Sequence, residues 1–177
     1  MATTTWTIDP SHSEIHFKVK HLMISTVTGQ FDAFAGQVVT EGDNFENAQV
    51  SFTADAASIN TKSADRDAHL KSPDFFDADT FPKLSFKSTA FVKTGDDEYE
   101  LTGDFTIRDV TKSITLTAEA GGIGADPWGN TKAGFSLSGK INREDFGLTW
   151  NAALEAGGVM VSKDVRLLAE VQLVKQA

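Results

Sequence analysis

Apolar and polar residues alternate with a period of two along most of this chain. Ile15, Phe17 and Val19 interleave with His16, Lys18 and Lys20. Val50, Phe52 and Ala54 do the same, as do Leu84 and Phe86, then Leu101, Gly103, Phe105 and Ile107. The pattern returns at Ile114, Leu116 and Ala118, at Phe135, Leu137, Gly139 and Ile141, and from Val165 to Leu173. Strict alternation specifies strands with one apolar and one wetted face. Turn signals separate the runs: Asp9-Pro10, Glu41-Gly42-Asp43-Asn44, Thr94-Gly95-Asp96-Asp97, and Gly121-Gly122 through Gly129-Asn130. The reading is at least eight strands in a mainly antiparallel sheet. Single apolar faces must close on one another, as a sandwich or as a barrel. Strands of about ten residues favour an up-and-down barrel, whose interior at eight strands holds side chains or one small ligand. Gly36, Gly103 and Gly139 would let strands bend as closure requires.

One stretch breaks the alternation. Ser63 to Ser72 carries good helix formers, and Ser72-Pro73-Asp74 reads as an N-cap, a first-turn proline and an acid at the positive helix end. The spacing predicts a short helix followed by a further helical turn over Asp74–Asp77, ending before Phe81-Pro82. His21 to Val27 is read as a second helical or bulged insertion. No repeat or linker divides the 177 residues, so residues 1–177 are expected to form one domain.

Composition narrows the chemistry. With no cysteine, thiolate nucleophiles, disulfides and Cys-ligated metals are excluded. The net charge of −9 would on average repel nucleic acid and anionic membranes. No apolar run approaches the roughly 18 residues of a membrane helix. The N-terminal residues lack a basic region followed by an apolar run, so the expected location is cytoplasmic, or periplasmic if a signal has been removed. Most unusual are 13 phenylalanines against one tyrosine. That is a large apolar volume with almost no hydroxyls, suited to a Phe-rich core or to a greasy cavity.

Several segments in order resemble the YceI-like family of lipocalin-like polyisoprenoid-binding proteins. They begin with Trp6-Thr-Ile-Asp-Pro-Ser-His-Ser-Glu-Ile-His-Phe17, Val19-Lys-His-Leu22 and Gly29-Gln-Phe-Asp-Ala-Phe-Ala-Gly36. Ile59-Asn-Thr, Arg66-Asp-Ala-His-Leu-Lys-Ser-Pro-Asp-Phe-Phe-Asp77 and Phe81-Pro82 form the most distinctive block. Leu101 to Lys112, Asp126-Pro-Trp-Gly129, Gly134-Phe135 and Ile141 to Trp150 complete the series. The resemblance implies an all-β fold: an elongated, eight-stranded antiparallel lipocalin-like barrel with short helical insertions near one end. It further implies a homodimer and one long amphiphile inside the barrel, such as a polyprenyl pyrophosphate, an isoprenoid quinone or a fatty-acid derivative. It implies no catalytic mechanism and no cofactor.

The candidate lipid-binding residues on inward faces are Phe17, Val19, Phe52, Phe86, Phe105, Phe135, Leu137 and Ile141. Alternation alone does not separate a filled core from a lined cavity; the resemblance favours the cavity. Phe31, Phe34, Phe146 and Met160 join the set from the matching segments and the loop before the last strand. Leu70, Phe75, Phe76 and Phe81 lie in the insertion, as a lid touching lipid, a plug sealing the end, or both. Arg66 and His69 are the candidates for a phosphorylated headgroup, although Arg66-Asp67, Arg108-Asp109 and Arg143 with Asp145 also read as structural ion pairs. The four histidines lack the spacing of a zinc site, so no metal is expected. A rival reading makes the protein a lipid-modifying enzyme using Asp9, His12, Asp65, Asp67 and His69. A third makes it a ligand-free stress-response protein with a filled barrel. Gly121–Asn130 and Asn151–Lys163 are read as mobile portals or ordinary connections.

Overall fold

The computed structural model describes residues 2–152 and 160–177. Its strands are β1 (Thr3–Ile8), β2 (Glu14–His21), β3 (Ser25–Phe31), β4 (Phe34–Glu41), β5 (Asn44–Asp55) and the two-residue β6 (Ile59–Asn60). Helix α1 (Ala64–Lys71) follows, then β7 (Lys83–Lys93), β8 (Glu98–Ile107), β9 (Val110–Ala125), β10 (Thr131–Asn142) and β11 (Val161–Lys175). All pairings are antiparallel.

β1 and β2 lie end to end along β11, with Trp6–Ile8 against Leu173–Lys175 and Glu14–His21 against the rest of β11. They form one stave, broken where Pro10 has no N–H to continue the ladder. Asp9 holds that break by accepting from the Ser11 amide at 3.0 Å and the Ser11 hydroxyl at 2.7 Å. β4 pairs with β1 and β3 with β2, so β3 and β4 form a second broken stave. With β5, β7, β8, β9, β10 and β11 these make a closed eight-strand barrel, sealed where β11 pairs with both the first and the tenth strand.

Bulges and register shifts interrupt four of the pairings. In β5 the register jumps past Asn47, whose φ is 66°, so Phe45 and Val50 both face inward at opposite parity. β7 gains a residue between Ser88 and Ala90, which turns Phe91 inward beside Phe86, and the Ser88 hydroxyl accepts from the Val50 amide at 2.8 Å. β9 gains Gly121 opposite the Gly134–Phe135 step of β10, and β11 shifts register against β2 between Val161 and Val165.

One barrel end, carrying the β4–β5, β7–β8 and β9–β10 turns, is plugged by rings. Trp6 is fully buried and donates from its indole to Thr40 Oγ1 at 3.0 Å; Thr40 in turn donates to Gly42 O at 2.6 Å. The Trp6 ring packs on Phe45 at 5.0 Å, Phe45 on Phe135 at 4.9 Å, and Phe91 stacks on Tyr99 at 4.8 Å. The opposite end carries the β2–β3 turn, the β8–β9 turn and the 61–82 insertion.

Two helical expectations are corrected. Residues 74–77 form successive hydrogen-bonded turns, because Phe76 N–H returns to Leu70 O and Asp77 N–H to Ser72 O, both at 2.9 Å. His21–Val27 is no helix: β2 and β3 meet in a tight hairpin with Leu22 and Met23 at φ 55° and 61°. Gly121–Gly124 belong to β9, and Asp126 closes the turn by accepting from the Trp128 and Asn130 amides at 2.9 Å each, so this is an ordinary hairpin.

Gly103 sits where a Cβ would lie 2.5 Å from the Phe86 ring and 2.6 Å from Lys87 O. Gly103→Ala is expected to destabilise the barrel by about 2 kcal/mol. Calorimetry should show the midpoint fall by about 4–8 °C.

Candidate functional site

The inward faces do not fill the barrel. A cavity of about 250 Å³ runs between the ring plug and the insertion. Packed cores seldom contain voids larger than a water, and an apolar void of about 150 Å³ already binds benzene. Phe17, Val19, Leu137, Val165 and Leu167 all border it and stay half-buried although they point inward. Their accessibility is the mark of an interior left open.

Most of the candidate lining residues are placed on this cavity. Phe17, Val19, Phe31, Phe52, Phe86, Phe105, Phe135, Leu137 and Ile141 form walls, and Leu70, Phe75 and Phe76 face it from the insertion. Four candidates do not border it. Phe34 packs its ring on Phe52 at 6.2 Å but does not border the cavity. Phe146 is buried beneath Phe105, ring to ring at 5.5 Å. Phe81 ends the insertion, its amide bonded to Asp77 O, and Met160 spends its backbone on Leu22 and Ala152. Residues 153–159, including Gly157-Gly158-Val159 of the portal reading, lie outside the described residues. Phe45 and Phe91 line the cavity and were not expected to, because the bulges at Asn47 and Ser88–Ala90 break the parity that sequence reading relies on.

The insertion is seated as a cap. Phe76 meets Phe31 edge-on at 5.8 Å, and Phe75 packs on Trp150 at 5.5 Å. His69 binds Asp74 through Nε2 at 3.0 Å and sets its ring against Trp150 at 4.7 Å. Beside the cap, β3 pairs only Gln30 and Phe31 with β6, so the barrel wall is discontinuous there among the described residues.

Neither headgroup candidate borders the cavity. Arg66 donates to Thr61 Oγ1 at 2.8 Å and Thr61 O at 2.7 Å, while His69 is held by Asp74. The expected Arg–Asp pairs are absent among the described residues. Residues adjacent on a helix do not face each other, and Arg108 turns to Phe75 O at 3.3 Å. The cation that does border the cavity is Arg143, 3% exposed. It donates to Ser162 O, Leu148 O, Trp150 O and Val161 O at 2.6–3.2 Å. Burial pushes its pKa down, with Glu144 opposing.

The residues of the enzyme reading do not assemble. Asp65 and Asp67 are on α1, where Asp67 accepts from Thr61 N and Oγ1. Asp9, Ser11 and His12 share an exposed turn, and neither Asp9 nor His12 borders the cavity. Asp9 and Ser11 both meet His12 at Nδ1, at 2.9 and 3.2 Å. A relay needs nucleophile and acid on opposite ring nitrogens.

A model of the YceI-like domain matches residues 6–173. The chain belongs to the YceI-like family. Among its relatives is the UPF0312 protein SA2479 of Staphylococcus aureus strain N315, 41% identical over 172 residues and 96% of each chain. The Campylobacter jejuni YCEI protein shares 35% identity with a TM-score of 0.75, covering 90% of this chain and 91% of that one. At lower identity the fold is shared with Burkholderia cenocepacia BcnA (22%, TM-score 0.81, 93% and 98% covered). It is shared also with a polyisoprenoid binding domain from Saccharophagus degradans (14%, TM-score 0.74, 97% and 98% covered).

Two predictions follow from charges in this YceI-like barrel. Arg143→Met leaves buried carbonyls without donors, each costing about 1–3 kcal/mol. Denaturant unfolding should show a loss of at least about 3 kcal/mol. Asp9 is held well below the usual carboxylate range, first by the Ser11 and then the His12 hydrogen bonds, with burial opposing. Its stabilisation is therefore present at neutral pH and fades as pH drops below about 5. Asp9→Asn should lower stability at neutral pH and flatten its decline between about pH 5 and 2, read by urea unfolding.

Proposed function

We propose that this protein binds and carries one long-chain amphiphile, with polyisoprenoids, either a polyprenyl pyrophosphate or an isoprenoid quinone, as the favoured class. The observation that carries this reading is the unfilled apolar cavity inside a closed barrel. Each five-carbon isoprene unit moved from water into such walls gains about 3–4 kcal/mol gross, at roughly 0.8 per carbon group. Ordering costs take back a large part. Phenylalanine offers ring area without a polar atom needing a partner, which suits a branched, unsaturated tail.

The plug and the cap set the direction. The tail points at the Trp6–Phe45–Phe135 rings, and the headgroup stays near the insertion. At that end Arg143 supplies a buried positive charge whose hydrogen-bond partners are four backbone carbonyls, which favours an anionic or electron-rich headgroup. The reading makes this a binding protein and not an enzyme. A ligand-free structural role is disfavoured by a cavity that filling would remove at a gain in stability.

Organic extraction of purified protein followed by mass spectrometry should find a long-chain lipid in about one-to-one ratio, or allow one to be loaded from micelles. Val165→Trp, which projects a ring into the cavity, should cut bound lipid at least tenfold while leaving the thermal midpoint near that of the parent. Repeated failure to find or load any such lipid would overturn the proposal.

A further inference from the structure

Charge is unevenly spread over the barrel's outside. On the outward face of β10, β11 and β2, Lys140 is the cross-strand neighbour of Arg166, and Arg166 of Lys18. Lys20 continues the row toward the β2–β3 turn, and Lys163, the third residue of β11, lies in the irregular stretch between the Val161–His21 and Val165–Val19 pairs. Lys140 meets Asp164 at 3.6 Å and Lys163 meets Glu144 at 3.7 Å. Lys18, Lys20 and Arg166 have no carboxylate within 4 Å among the described residues. Like charges placed directly opposite across strands repel. Two rows further along the same face the charge reverses, with Glu14 opposite Glu170.

The basic row leads to an apolar tip. Met23 is 52% and Ile24 81% exposed at the β2–β3 turn. Leu22 and Met23 both sit at positive φ, where hairpins use Asn and Gly. Large apolar residues thus occupy strained positions that would be relaxed by small polar ones. The tip lies at the capped end of the barrel: His21 pairs with Val161, and both Val161 and Val19 line the cavity.

We propose that this tip and the basic row form a docking surface for an anionic lipid bilayer, which brings the capped end of the barrel against the membrane for lipid exchange. Charge complementarity selects the occupant. Cations on one face attract an anionic headgroup layer, and Met23 and Ile24 enter its interface as amphipathic anchors do. Asp164 and Glu144 offset two of the five cations, which leaves Lys18, Lys20 and Arg166 as the local excess, and charges further than about 8 Å away are screened at physiological salt. The other exposed tip, Trp128 at 83%, belongs to the plugged end. There Glu98 opposes Glu119 and Asp96 and Asp97 lie in the neighbouring turn, so an anionic surface is repelled. The docking role rests on the reading of the cavity as a lipid site, but its test does not.

Cosedimentation of the full chain with vesicles should show binding to equal parts phosphatidylcholine and phosphatidylglycerol, little binding to phosphatidylcholine alone, and weakening as salt rises. Ile24→Asp and the double variant Lys18→Glu with Arg166→Glu should each weaken binding at least tenfold, with circular dichroism and thermal midpoint unchanged. Trp128→Ser should bind as the parent does. Equal binding to both vesicle types, no binding, or parent-like binding by well-folded Ile24→Asp would overturn the proposal. So would a dimer in sedimentation velocity that Ile24→Asp dissociates, without vesicle binding by either form. Loading from detergent micelles separates the two readings. Docking variants that still take lipid from micelles isolate the docking step. A parent that docks but never takes lipid sinks the lipid-carrying reading and leaves docking standing.

Discussion

Closure of the sheet on β11 is the constraint on which the rest depends. β11 gives one edge to β10 and the other to β1 and β2. Closure pairs the last stave back to the first, and the inner faces are fixed on a circumference, although β5 and β7 pair over only five residues and β3 over only two with β6. An antiparallel ring of this size encloses a space just wide enough for side chains or a small ligand. Which of those is realised depends on how far side chains reach. Where Trp6, Phe45, Phe91 and Phe135 project together, they meet and seal the barrel. Where Val19, Leu137, Val165 and Leu167 project, they do not meet, and space remains. The cavity thus follows from rings that meet at the plugged end and from side chains beyond it that line the wall without filling the space between them.

The fold was legible because alternation is a local signal that survives wherever a strand is regular. It placed Phe17, Phe52, Phe86, Phe105 and Phe135 on faces that prove to line one cavity. It failed where the backbone departs from a regular pleat. Phe45 and Phe91 have the wrong parity for their own strands, and only bulges opposite a partner strand bring them inward. Nothing local marks Asn47 or Thr89 as lying in an irregular stretch, since a bulge is set by the pairing register. The β2–β3 turn was hidden for a related reason. Leu-Met at positive φ contradicts turn chemistry, so the segment reads as anything but a tight hairpin.

The charged candidates were less legible than the apolar ones. Arg66 and His69 drew attention because they neighbour the phenylalanines of the insertion in sequence, yet their partners are Thr61 and Asp74. Arg143 borders the cavity through long-range contacts with Leu148, Trp150, Val161 and Ser162, which no short motif encodes. Apolar lining is a repeated, statistical property of faces. A single buried cation is a property of how chain ends converge, and sequence order carries little of that.

Burying Arg143 against backbone carbonyls has a consequence for the capped end. Four carbonyls from the segments flanking the gap between β10 and β11 converge on one guanidinium. That geometry ties the start of β11 to Leu148 and Trp150, and Trp150 in turn receives His69 and Phe75 of the insertion. Arg143 therefore supports the cap from below, while the hairpin of Leu22 and Met23 stands beside it on β2. A ligand reaching the cavity must pass elements that share this one anchor. Exchange is best met by moving the insertion, whose contacts to Trp150 and Phe31 are ring packing and whose hydrogen bonds are largely internal. Disturbing Arg143 would instead expose a buried charge and take its donors from the Leu148, Trp150 and Ser162 carbonyls, a far larger cost than parting a few aromatic contacts.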